Sequence, residues 1–255
     1  MTLAGPDLSG RGALVTGGTR GIGLAIARRL IATGAAVLVC GRSQPGQLPA
    51  GVEFSAADVS DPEQAAAVVA EANSRFGRLD IVVNNAGGSP SIPAASASPN
   101  LITSVVRLNL LAPIFVAQAA NAIMQRQDGG GLILNIGSVA AFRPAPGTAA
   151  YAAAKAGLIA LTQALALEWA PAVRVNCVTA GLVRTDDSLA HYGDEQALAR
   201  VAATVPLGRM AVPGDIADAC ILLASPLAGY VTGANLVVDG GGQMPTFTGA
   251  ARPNG

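Results

Sequence analysis

Seven short runs rich in apolar and β-branched residues, at 11–16, 36–40, 52–57, 80–84, 132–137, 173–179 and 235–238, alternate along the chain with helical patterns. Strands separated each time by a crossover of helical length cannot pair as hairpins, so they are expected to lie parallel with helices on both faces. The predicted fold class is α/β, a doubly wound Rossmann-type arrangement with a parallel sheet of about seven strands. Pro62 after Asp61 marks a helix start, and Pro171 stops the Ala-rich helix that carries Tyr151. No internal repeat or linker interrupts the pattern, so residues 1–255 are read as a single domain. Gly/Pro-rich segments at 86–99 and 140–148 read as loops, and 240–255 as a mobile tail.

Composition narrows the functions open to such a chain. Apolar residues make up 51% and charged residues 13%, which suits buried strands and covered helices. Sixteen acidic residues balance sixteen basic ones, leaving no basic field for a polyanion, so nucleic acid is excluded as a partner. Cys40, Cys177 and Cys220 are far apart in apolar runs, and His191 is the sole histidine. Neither a metal site nor a disulfide framework is expected; buried free thiols in a reducing, cytoplasmic setting are. The first residues show neither a basic n-region nor an apolar h-region, so no export is signalled. The uncharged stretch between Arg107 and Arg126 is interrupted by Asn109, Pro113, Gln118, Asn121 and Gln125. A core or subunit-contact helix over 108–123 is expected there, not a membrane span.

The first strand runs into Thr16-Gly17-Gly18-Thr19-Arg20-Gly21-Ile22-Gly23, followed by an amphipathic stretch. Glycines at a strand-to-helix turn let the backbone approach a pyrophosphate, and the helix start offers free N–H groups to its charge. The spacing is G-x-x-x-G-x-G, not G-x-G-x-x-G. In an NAD-preferring fold an acid near the end of the second strand accepts the ribose 2′-hydroxyl. Here Gly41-Arg42-Ser43 stands at that place. Without a carboxylate to repel it, a 2′-phosphate can be clamped by Arg42 and Arg20, which favours NADP(H) and leaves NAD(H) possible. Asp58, after the third strand, would suit the adenine amino group, and the Asn84-Asn85-Ala86-Gly87 turn lies at another C-terminal strand end.

Lys155 is the only lysine beside fifteen arginines. It stands four residues after Tyr151, so on a helix the phenol and the ammonium share a face, an arrangement suited to proton chemistry on the tyrosine. At about 4 Å a unit charge is worth on the order of 4 kcal/mol at an effective dielectric of 20, so Lys155 is expected to lower the phenol pKa.

The T-G-x-x-x-G-x-G turn, N-N-A-G at residues 84–87, Asn109, Ser138 and Y-x-x-x-K at Tyr151 and Lys155 occur in one order over essentially the whole chain. With Pro213-Gly-Asp-Ile-Ala217 and the closing segment 229–240, this set resembles the short-chain dehydrogenase/reductase family. The resemblance implies a catalytic tetrad. Ser138 would donate to a substrate carbonyl oxygen, and Tyr151 would be the acid in reduction and the base in oxidation. Lys155 would assist Tyr151 and bind the nicotinamide ribose, and Asn109 would hold a water with its backbone carbonyl, or else satisfy a helix kink. It also implies cofactor contacts from Gly17, Thr19, Arg20, Gly21, Ile22 and Gly23, from Arg42 and Ser43, and from Asp58 and Val59. Asn85, Ala86, Gly87, Tyr151, Lys155, Gly181, Val183 and Thr185 complete that set, with no metal. One departure is Ala180 before Gly181, where relatives carry proline; a slacker loop beside the nicotinamide is expected.

The reading is therefore an NADP(H)-dependent oxidoreductase acting on a small-molecule carbonyl or secondary alcohol, in a homotetramer. An NAD-dependent alcohol dehydrogenase and a non-catalytic cofactor-binding regulator are the alternatives. Substrate walls are expected from 88–97, 139–147 and 182–192, largely small or apolar. His191 is read as a substrate contact or a solvated loop residue, and Arg143 as a surface charge or a partner for an acidic substrate group.

Overall fold

The computed structural model describes residues 6–185, 188 and 193–243. Its strands are β1 (Gly12–Thr16), β2 (Ala36–Gly41), β3 (Val52–Ala56), β4 (Ile81–Asn84), β5 (Gly131–Ser138), β6 (Val173–Ala180) and β7 (Asn235–Val238). They form one sheet in the order β3-β2-β1-β4-β5-β6-β7, every neighbouring pair parallel. All seven expected strands are present, with ends shifted by a residue or so. The order reverses direction between β1 and β4, where crossovers to opposite faces open a crevice above the C-terminal strand ends.

Alternation along each strand divides the core into two layers. Ala13, Val15, Val37, Val39, Ile81 and Val83 face one way and bury Ile26 and Leu30 of α1 (Gly21–Ala32). On the same face lie Ile216 and Cys220 of α7 (Pro213–Ala224). Leu14, Leu38, Val82 and Ile133 face the other way, onto α2 (Pro62–Phe76), α4 (Ala112–Met124) and α5 (Ala149–Trp169). The remaining described helices of substance are α3 (Pro99–Val106) and α6 (Glu195–Ala203). Cys40, Cys177 and Cys220 are buried and unpaired, and burial pushes the Cys40 thiol up to about 12.

Local chemistry sets the helix ends. The Asp61 carboxylate accepts the N–H groups of Glu63 and Gln64, Pro62 takes the first turn, and Gly77 closes α2 at φ 72°. The expected helix over 108–123 is not continuous. α3 ends at Val106, Arg107–Leu111 forms a π turn, and α4 begins at Ala112. Pro113 has no N–H to return to the Asn109 carbonyl four residues earlier, so the ladder loses a bond there and widens.

Candidate active site

The glycine turn sits at the reversal of strand order, between β1 and α1. Gly17 holds φ 61°, and a Cβ there would approach within 3.0 Å of Ala86 Cα. At Gly23 a Cβ would fall 2.4 Å from both Asn85 Nδ2 and Gly17 O, so the helix start can rest on the turn only as glycine. Thr16 Oγ1 accepts the N–H groups of Asn85 and Ala86, both at 3.0 Å, and Asn85 Nδ2 donates to the carbonyls of Thr16 and Gly17 at 2.9 and 3.0 Å. The two turns at the ends of β1 and β4 are thereby one rigid unit. Arg20, exposed, is the residue before α1 and brings no side-chain acceptor to the first-turn N–H groups of Gly21, Ile22 and Gly23.

Beyond β2, Arg42 and Ser43 are exposed, and no acid stands at Gly41. Asp58 follows β3, with Oδ1 accepting from the Ser60 hydroxyl at 2.7 Å and the Ser60 N–H at 3.0 Å. The Ser60 hydroxyl bond chiefly holds this carboxyl below its usual range, with Arg42 and Arg107 also acting in that direction. Val59 beside it is buried. Arg42 and Asp58 thus face the same end of the crevice.

The second half of the site gathers on β5, α5 and the π turn. Lys155 is buried, and Nζ donates to Ile136 O of β5 at 2.8 Å while standing 5.7 Å from the Tyr151 ring centroid. Burial lowers its pKa from 10.5 to about 8. Tyr151 moves the other way: burial raises the phenol above its ordinary value, and the Ser138 hydroxyl beside it pulls it back in part. The Lys155 ammonium is directed onto a strand carbonyl, and loss of hydration is the largest effect on the phenol. Ser138 Oγ accepts the Ala140 N–H at 3.2 Å, which leaves its proton available to an acceptor in the crevice.

Asn109 is fully buried. Its Nδ2 donates to Gly88 O at 2.8 Å and Val105 O at 2.9 Å, and its Oδ1 accepts the Gly88 N–H at 3.0 Å. The side chain thus satisfies the kink and also fixes the loop after β4. A Cβ at Gly87 would lie 2.8 Å from Asn109 Oδ1 and 3.4 Å from Lys155 Nζ, so this backbone runs between the two. Asn109, Gly87, Ser138, Tyr151 and Lys155 are brought together at the C-terminal strand ends.

The loop after β6 is held at its start by backbone bonds. Ala180 stays within the strand, the Gly181 N–H donates to Val238 O at 2.9 Å, and Val183 bridges to Ala211. The Thr185 N–H donates to Ser188 Oγ at 2.8 Å. Arg143 is not a free surface charge: its Nη2 donates to Asp239 Oδ2 at 2.7 Å. His191 and residues 244–255 of the expected tail lie outside the described residues.

Sequence reasoning missed a buried polar chain below the site. Asn84 Nδ2 donates to Asn135 Oδ1, and Asn135 Nδ2 to Thr162 Oγ1, both at 2.9 Å, locking α5 to β4 and β5 two turns beyond Lys155. Asparagine within the apolar run of β5 was the available signal.

These features fit a nicotinamide dinucleotide. A backbone cradle that admits no Cβ leads to uncapped helix N–H groups for a pyrophosphate, and a Tyr/Ser/Lys group stands at the other end of the same crevice. The family model for enoyl-(acyl carrier protein) reductases matches residues 17–243. A 3alpha-hydroxysteroid dehydrogenase of Mediterraneibacter gnavus is 39% identical over 245 residues, covering 91% of this chain and 97% of its own. An L-rhamnose 1-dehydrogenase (NAD(P)(+)) of Azotobacter vinelandii is 36% identical over 242 residues, covering 89% and 94%. The crystal structure of a Sinorhizobium meliloti 1021 protein, described as a short-chain alcohol dehydrogenase, superposes with a TM-score of 0.85 at 38% identity. It covers 92% of this chain and 97% of that one. With the seven-stranded parallel sheet and the cradle at its switch point, these likenesses show that the chain belongs to the short-chain dehydrogenase/reductase family of oxidoreductases.

Proposed function

We propose that the protein is an NADP(H)-dependent ketoreductase for apolar ketones, with Tyr151 as the acid. The observation that carries this reading is the convergence of the Ser138 hydroxyl, the Tyr151 phenol and the buried Lys155 ammonium beside the glycine cradle. The nicotinamide, when bound, supplies or accepts the hydride. Ser138 donates to the carbonyl oxygen and stabilises the charge that develops on it. Tyr151, whose phenol burial raises further above neutral pH, gives its proton to that oxygen in reduction. Lys155 holds a positive charge below about pH 8 next to the forming phenolate and is placed to meet the ribose hydroxyls. The Asn109 carbonyl, to which Pro113 offers no N–H, would hold a water for proton resupply.

Arg42 and Arg20 would hold a 2′-phosphate. Gly17, Thr19, Gly21, Ile22 and Gly23 would line the pyrophosphate, Asp58 and Val59 the adenine, and Ala86, Gly87, Gly181, Val183 and Thr185 the nicotinamide half. A cavity of about 220 Å³ under the loop after β4 is lined by Pro90, Ile92, Leu101, Ile102, Val105 and Ala150 among others, with no charged side chain. Ser138, Tyr151 and Lys155 do not line it, and it reaches the site only through Ala150 beside Tyr151, so it would take an apolar extension of the substrate and not the reacting carbonyl. Three buried, unpaired thiols suit a cytoplasmic setting.

Steady-state kinetics on a panel of ketones with both cofactors tests the reading. NADPH should exceed NADH in kcat/KM, and Gly41→Asp should shift the ratio towards NADH. A Cβ at Gly41 makes only ordinary contact with Thr19, at 3.5 Å, so the fold should tolerate it. Tyr151→Phe should lose roughly 10² to 10⁴ in rate, with Lys155→Arg between it and wild type. A preference for NADH, or full activity of Tyr151→Phe, would sink the corresponding part.

A further inference from the structure

Arg143 leaves the turn that follows β5, five residues after Ser138, and reaches across to Asp239, the first residue beyond β7. The ion pair spans 2.7 Å, with the two side chains 35% and 18% exposed. At its Arg143 end the backbone is fixed, because the N–H groups of Phe142 and Arg143 both donate to Val139 O, at 3.0 and 2.8 Å. The guanidinium is therefore carried on a fixed backbone turn that begins at Ser138 and is held at its far end by Asp239.

At the other end, Asp239 supports the loop after β6. A Cβ on Gly181 would fall 2.6 Å from Asp239 Cα and Cβ, so Gly181 rests directly on that residue. The second carboxylate oxygen accepts the Gly241 N–H at 3.2 Å. From there the chain turns back through Gly240, Gly241 and Gly242, at φ 67°, 91° and 89°. Gly242 ends buried against the pair, where a Cβ would stand 2.8 Å from Arg143 Nη1. Three loops at the mouth of the site thus meet at one ion pair.

The sheet sets the spacing between the Ser138 turn and the Gly181 loop only as far as the strands run. The β5 and β6 ladder ends at Ser138 opposite Ala180. Beyond that point Arg143 and Asp239 bridge the two segments. We propose that Arg143 and Asp239 are positioning residues that set the separation between the Ser138 and Tyr151 hydroxyls and the Gly181 loop, and with it the hydride-transfer distance. This rests on the reading of the site as a hydride-transfer centre. Arg143 acts through Ser138's turn, and Asp239 through Gly181.

The test uses Arg143→Gln, Asp239→Asn, Arg143→Lys and the reversed pair Arg143→Asp with Asp239→Arg. Single-turnover and steady-state ketone reduction are followed with NADPH and with NADPH deuterated at the transferred position. Misplacement by about 1 Å costs on the order of 10²-fold, so each neutral variant should lose about 10- to 100-fold in the transfer rate. The cofactor KM should stay within about threefold of wild type, and the deuterium isotope effect on kcat should rise as transfer becomes limiting. Arg143→Lys and the reversed pair should each recover part of the rate, and they carry the comparison if Arg143→Gln does not fold. Arg29→Gln, which breaks an exposed pair with Asp218 between α1 and α7, should match wild type. Folded neutral variants with an unchanged rate and isotope effect would overturn the proposal, as would a fall in melting temperature with neither kinetic change. A wild-type protein that transfers no hydride to any ketone overturns the functional reading itself.

Discussion

Lys155 carries the largest electrostatic tension of any single residue in the site. Its ammonium is buried, with one strand carbonyl as its protein partner among the bonds described, and its pKa falls from 10.5 to about 8. Between those two values the unfolded chain binds the proton more tightly than the folded one. Stability therefore rises with pH across that window, and the burial penalty is fully present below about pH 8. Raised thiol pKa values at Cys40 and Cys220 act in the opposite direction at alkaline pH but are common to a Lys155→Met variant and cancel in the difference, whereas the Cys177 thiol, held lower by Lys155, rises further in the variant and adds to the wild-type gain. Urea unfolding of the two proteins at pH 7.5, 9 and 10 should show wild type gaining on Lys155→Met, by at most about 1.4 kcal/mol per pH unit from Lys155 itself. A difference that stays flat from pH 7.5 to 10 would mean that no charged ammonium is buried at this position.

At the scale of elements, the π turn at Arg107–Leu111 links packing to chemistry. Pro113 removes one ladder bond, and the Asn109 side chain then secures both the Val105 carbonyl and the Gly88 peptide. Asn109→Ala would leave these buried groups without partners, at about 1 to 3 kcal/mol each. We expect a loss of roughly 3 kcal/mol overall, read as a lower urea midpoint with an unchanged m-value. Unchanged stability would show that water replaces the side chain. The strands were legible in the sequence because a strand buried on both faces leaves an unbroken apolar run, and the glycine turn because close approach of backbone leaves a spacing. The π turn was legible only as the alternative of a helix kink at Asn109, since apolar periodicity over 108–123 reads the same with or without one widened turn. Arg143 and Asp239 are 96 residues apart, and no local pattern encodes such a pair.

For the whole molecule, two apolar surfaces lie uncovered on different sides. The helical stretches Pro99–Met124 and Ala149–Trp169 are long and apolar enough to cross a membrane by composition, yet only 33% of each apolar window is buried within the chain. On α5 the exposed positions Ala153, Ala156, Ala160, Ala164 and Leu167 recur at helical spacing and form a flat stripe opposite the face that packs on the sheet. Because the opposite face packs on the sheet and Asn109, Gln118 and Asn121 break the apolar run, we expect a second subunit and not lipid to cover this stripe. The other surface is the β7 edge, where Val237 is exposed, with Leu227 and Tyr230 shortly before that strand at 81% and 105% exposure. A sheet edge of this kind invites pairing, and if each patch meets its own copy about its own twofold axis, the assembly closes at four subunits. Light scattering at micromolar concentration should give about 101 kDa, four times the 25.2 kDa chain. Ala160→Arg on the helix face and Tyr230→Asp near the edge should each halve that mass, and together they should yield monomer. A wild-type mass of 25 kDa, or a tetramer indifferent to both substitutions, would remove these surfaces as the subunit contacts.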